Sequence, residues 1–131
     1  MIAADTNILA RFLVRDVEEQ ARKVKELVDN GAILYINEVV LSELSWVIQK
    51  MYGYTKEEFV WAIDFLFETE GFYFFDQVIV KRALSDFLNT TADFSDCLIN
   101  QININEEIQL DLKKYNVAAI ICHEGGSAGR G

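Results

Sequence analysis

Histidine is almost missing from this 131-residue sequence, in which His123 stands alone. A zinc site built on imidazoles lacks partners, and a Ser-His-Asp or Cys-His mechanism is correspondingly disfavoured. Cysteine is nearly as scarce. Cys97 and Cys122 are far apart, form no CxxC pattern and read as reduced, buried thiols. Positive charge is in short supply too, with 12 Lys and Arg against 21 Asp and Glu and a net charge of −9. That balance argues against broad nucleic-acid binding through a basic face. It leaves room for a focused group of carboxylates neutralised by divalent cations. No apolar run approaches the roughly 20 residues of a membrane span, and the N-terminal stretch lacks the basic and apolar regions of a signal peptide. The expectation is a cytoplasmic protein with no membrane association.

What remains is ordinary for a globular domain: 51% apolar and 25% charged residues. The length suits one domain able to bury a core without disulfides. No internal repeat or linker interrupts residues 1–104. A short apolar run at 1–4 reads as a strand, and 8–15 as a helix. Asp16 reads as the cap of a second helix whose stripe is Val17, Ala21, Val24 and Val28. Asn30-Gly31 ends that helix and AILYI follows as a strand. Residues 38–52 carry helical spacing and Gly53 breaks it. Thr55 then caps a helix running to 68, with Glu58 in capping-box position. GFYFF reads as a third strand, 77–88 as a helix and 93–104 as another. Strands alternating with helices imply an α/β domain with a largely parallel sheet. EIQLDL and VAAIIC add two candidate strands, while HEGGSAGRG has no core-forming content and reads as a disordered tail.

Four acids stand out against this background. Asp5 follows the first strand, where open α/β sheets bind ligands, yet Asp5 or Thr6 also suits a simple helix cap. On a wheel of about 100° per residue, Glu43 falls between Val39 and Val47, whereas Glu38, Ser42, Ser45 and Gln49 occupy the solvent arc. A carboxylate inside an apolar arc is costly unless paired or metal-bound. Its alternative is a side chain at the stripe's edge reaching solvent. Asp93 and Asp96 are spaced i, i+3 at the start of a helix, so both lie on one face. A cap plus a dipole interaction explains one of them comfortably. All four together suggest hard oxygen ligands for Mg²⁺ or Mn²⁺.

DTNILARFLVRD, VVLSELSWVIQKMYGYTKEE and ADFSDCLI, in that order and at those intervals, resemble the PIN domain, specifically the VapC toxin group of toxin–antitoxin systems. The resemblance covers residues 1–104. It implies a three-layer α/β fold with a central, largely parallel sheet of four to five strands flanked by helices. One domain would then span 1–122, atypical over 105–122, with 123–131 as tail. The implied activity is a metal-dependent endoribonuclease cleaving RNA, tRNA being one candidate, through an Mg²⁺- or Mn²⁺-activated water. Asp5, Glu43 and Asp96 match the family's metal-holding acids and Asp93 its accessory catalytic acid, while Thr6 and Asn7 match positions that order the first acidic loop. The implied partners are a VapB-like antitoxin and a second copy in a homodimer.

The tail departs from the family, which usually carries a Thr-x-Asp element about twenty residues after the third acid. Asp111 is the nearest substitute. Aligning Lys113 and Lys114 with the family's basic residues puts Leu112 at the acidic position, and a one-residue slip turns a strand side chain to the opposite face. Asp111 serves as the fourth acid only if a bulge re-aims it. The rival function is therefore a catalytically impaired PIN-fold binding module that keeps its antitoxin and dimer surfaces.

Arg11 and Arg15, spaced i, i+4, are RNA-binding candidates, with pairing to Glu18 and Glu19 as the alternative. Phe59, Trp61, Phe65 and Phe67 cannot all face one way. Such an aromatic excess is what a dimer or antitoxin groove would use.

Overall fold

Apolar runs long enough for a strand alternate with capped helices, and the computed structural model, which describes residues 1–15 and 18–106, follows that order. The chain clusters into two compact units that divide between Phe75 and Asp76.

The first unit holds β1 (Ile2–Ala3), α1 (Thr6–Val14), α2 (Glu18–Asp29), β2 (Leu34–Ile36), α3 (Glu38–Trp46), α4 (Lys56–Glu68) and β3 (Phe72–Phe74). The strands are parallel in the order β1-β2-β3, with Ile2 opposite Leu34 and Leu34 opposite Phe72. Leu34, Ile36, Phe72 and Phe74 alternate into the core, as a period of two demands. Phe12 of α1 meets Phe72 with ring centroids 5.2 Å apart. Leu9, Leu41, Leu44, Ile48, Phe59, Ile63 and Leu66 are fully buried, each worth about 1.5–3 kcal/mol of transfer free energy. These are the only strands among the described residues. The expected EIQLDL and VAAIIC strands lie outside them, as do Asp16, Val17, Cys122 and the tail.

Local signals set most helix starts. Asp5 caps α1, accepting the backbone N–H of Asn7 at 2.8 Å, so the helix begins two residues before the expected position. Thr55 and Glu58 form the expected capping box on α4. Arg15 closes α1 in left-handed conformation at φ 60°.

Two expectations for residues 38–52 need correcting. The α-helix ends at Trp46 and continues as a π-helical segment, Val47–Met51, closed by Tyr52 N–H to Val47 O at 3.3 Å. The buried stripe also differs: Leu41, Leu44, Ser45 and Ile48 are inside, whereas Val39 is 62% exposed and Glu43 is exposed. Periodicity reported which residues share a face, but Ser45 turns inward because its hydroxyl donates to Ser42 O at 3.0 Å and needs no solvent.

The second unit's described part holds α5 (Gln77–Asn89) and α6 (Phe94–Asn105), which pack on one another. Phe87 and Phe94 meet edge to face at 5.8 Å, and Gln101 donates to Asp86 at 2.7 Å. Cys97 is buried beside them, its Sγ 3.9 Å from Thr90 Oγ1.

Candidate functional site

An open pocket of about 370 Å³ lies beyond the carboxyl end of β1, lined by Asp5, Thr6, Asn7, Glu43, Trp46 and Val47. The parallel pairing of β1 with β2 brings the start of α1 to this sheet edge, and α3 packs against α1 across it. Among the described residues, two carboxylates and no cation line the pocket.

Each carboxylate is held by one oxygen. Asp5 Oδ1 accepts the N–H groups of Asn7 and Ile8 at 2.8 and 3.4 Å. Glu43 Oε1 accepts the Thr6 hydroxyl at 2.7 Å, a bond linking positions 37 apart in sequence. Thr6 is 9% exposed, so its hydroxyl is fixed by packing as well as by that bond. Among the described residues nothing bonds Asp5 Oδ2 or Glu43 Oε2. Asp5 thus caps α1 through Oδ1 and also lines the pocket, so the cap does not exhaust what this side chain can do.

This donor set fits a hard divalent cation. Mg²⁺ characteristically keeps several waters and takes one or two carboxylates rather than a full protein cage. Asp5 and Glu43, two carboxylates lining one pocket, meet that requirement. Among the described residues no group of three or more His, Cys, Asp or Glu side chains forms a metal cage.

Asp93 and Asp96 belong to the second unit. Asp93 sits at the N-cap of α6 with φ −68° and ψ 154°, yet its carboxylate makes no cap hydrogen bond. Asp96 follows in the first turn, and both are exposed. The cap explanation for Asp93 therefore fails. Asp76 shows the contrast, its Oδ1 accepting Val78 and Ile79 N–H at 3.0 and 3.1 Å. Asp76→Ala should cost about 1 kcal/mol in urea unfolding, as a lost cap does. Asp93→Ala should cost clearly less, and equal losses would show that Asp93 is a structural cap after all.

The basic candidates are engaged elsewhere. Arg11 Nη1 donates to Gln20 at 2.7 Å. Arg15 lies 3.8 Å from Glu18, with its guanidinium 5.2 Å from the Phe12 ring centroid. Arg15 closes the helix in left-handed conformation, its N–H donating to Arg11 O. Neither lines the pocket. Asp111 lies outside the described residues. Trp46 and Val47 line the site although the acidic pattern did not single them out. Their spacing of three and four from Glu43 was the available signal.

The comparisons bear on the whole arrangement. No curated protein and no solved structure matches the chain. The PIN domain family matches residues 2–109, a span that includes all four acids. The chain belongs to the PIN domain family, a nuclease-type fold whose members generally depend on a divalent metal.

Proposed function

We propose that the protein is a metal-dependent endoribonuclease, the toxin component of a VapBC-type pair, acting on RNA in the cytoplasm. The observation that carries the reading is that Asp5 and Glu43 line one open pocket, each with one carboxylate oxygen held, Asp5 by backbone N–H groups and Glu43 by the Thr6 hydroxyl. Asp5 and Glu43 are the residues proposed to hold Mg²⁺ or Mn²⁺, with Thr6 and Asn7 ordering the first loop, while the metal-holding role of Asp96 and the assisting role of Asp93 rest on the family resemblance alone. When bound, the metal supplies a water nucleophile and charge stabilisation for phosphoryl chemistry.

The chain's own residues prepare that site. The Asn7 and Ile8 N–H groups orient the Asp5 carboxylate, and the Thr6 hydroxyl orients that of Glu43. Preset ligands avoid reorganisation at the moment of reaction. With a net charge of −9 the surface does not attract RNA broadly, so the phosphate contact falls to the cation. Exposed Trp61 and Phe65, stacked at 6.1 Å, support a dimer or VapB-like antitoxin surface. No helix among the described residues is long and apolar enough to cross a membrane.

The direct test is RNA cleavage by the purified protein with Mg²⁺, Mn²⁺ or EDTA. Cutting that requires metal is expected. A folded protein that never cuts would move the chain to the impaired binding module, with the altered tail as the cause. Thr6 adds a finer expectation. Thr6→Val keeps the shape but removes the bond to Glu43, so cleavage should fall about 10- to 100-fold, as for other residues that orient metal ligands. Thr6→Ser should restore most of it, and a fully active valine variant would remove Thr6 from the mechanism.

A further inference from the structure

The two tryptophans differ in a way that the nuclease chemistry does not explain. Trp61 stacks on Phe65 with an interplanar angle of 16°. Trp46, the last residue of α3, is 57% exposed, and among the described residues no ring or cation stacks on it. It lies three residues after Glu43, on the same helical face, and lines the pocket with Asp5 and Glu43. An indole face is thereby left open directly beside two oriented carboxylates.

Charge indicates what that face takes. Among the described residues the pocket lining contains no Lys or Arg: Arg11, Arg15, Arg22, Lys23 and Lys25 are bonded to or paired with neighbouring side chains, and Lys50, four residues after Trp46, stays outside the lining. A strand entering here finds no phosphate clamp in the lining. Base–aromatic stacking needs no such clamp and tolerates any base, because every base has a π-face. Bases within a duplex are already stacked, so the ligand must offer an unpaired one. We propose that Trp46 is the stacking platform for an unpaired base of single-stranded RNA, setting the adjoining backbone over Asp5 and Glu43. The inference rests on the ribonuclease reading and assigns Trp46 a part in it. Trp46 is a positioning residue, touching the base rather than the reacting phosphate.

The test uses the full chain in a Trp61→Phe background, which leaves Trp46 as the single tryptophan, excited selectively above the tyrosine absorption. A uridine hexaribonucleotide, presented with Ca²⁺, should quench its emission, and an abasic sugar–phosphate strand of equal length should not. In cleavage of single-stranded RNA with Mn²⁺, Trp46→Ala should raise KM about 5- to 150-fold, the range for one stacked base. Its kcat should change little, and Trp46→Phe should recover most of the loss. Equal quenching by the abasic strand overturns the proposal. So does an unchanged KM in the alanine variant, and in that case metal-dependent cutting still stands. Base-dependent quenching without any cutting supports the platform while sinking the ribonuclease reading.

Discussion

Asp5→Asn should leave the fold intact and lower metal-dependent RNA cleavage by roughly 10²–10³-fold, the scale of losing one preorganised electrostatic group. The substitution separates the two jobs of one side chain. Asparagine caps helices about as well as aspartate, so its Oδ1 can still accept the Asn7 and Ile8 N–H groups. One of the two carboxylate charges lining the pocket is lost. Unfolding free energy should therefore stay within a few tenths of a kcal/mol of the parent, whereas the thermal stabilisation given by millimolar Mg²⁺ or Mn²⁺ should shrink or vanish. Asp5→Ala is the companion variant. It removes cap and charge together, and should lose about 1 kcal/mol of stability as well as activity. Wild-type cleavage by a folded Asp5→Asn protein would exclude Asp5 as a metal ligand.

Gly71→Ala should destabilise the protein by about 2–5 kcal/mol, a large part of the 5–15 kcal/mol typical of a domain. Gly71 joins α4 to β3 at φ +98°, a conformation that L side chains rarely adopt. Its carbonyl also accepts Leu34 N–H at 2.7 Å, so the residue cannot rotate away without weakening the β2–β3 pairing. A Cβ there would collide with Val28 Cγ1 on α2 and crowd Cγ2 at 3.1 Å. Gly31 isolates the two causes. Its φ is +94°, nearly the same, but a Cβ would meet nothing within 4 Å. Gly31→Ala should therefore show the backbone cost alone, about 1–3 kcal/mol, and the difference between the two variants measures the collision. Combining Gly71→Ala with Val28→Ala should recover part of that difference in a double-mutant cycle. Equal losses at Gly31 and Gly71 would mean that Val28 simply moves aside.

Short-range chemistry was readable in advance. The Thr55–Glu58 capping box, the N-cap position of Asp93 and the alternating strands around Ile36 and Phe74 each depend on residues a few positions apart. The family's acidic spacing was legible for the same reason: each motif is a local run, and the PIN match over residues 2–109 spans all three. The aromatic excess on α4 was countable as well, and Phe59 is buried while Trp61 stands 70% exposed.

What residues a few positions apart could not decide was which neighbour covers which face. Helical spacing put Val39 and Glu43 on one side of 38–52, but not on the side that packing buries. The bond from Thr6 to Glu43 joins positions 37 apart, and only the parallel pairing of β1 with β2 and the packing of α3 on α1 bring them within 2.7 Å. The change from α to π geometry after Trp46 is likewise unmarked by proline or glycine within residues 47–51. Local sequence determined where helices begin and which acids are available. Tertiary packing decided that Asp5 and Glu43 share a pocket and that Trp46 stands open beside them, because faces are covered by whatever the fold brings near, not by what lies next in the chain.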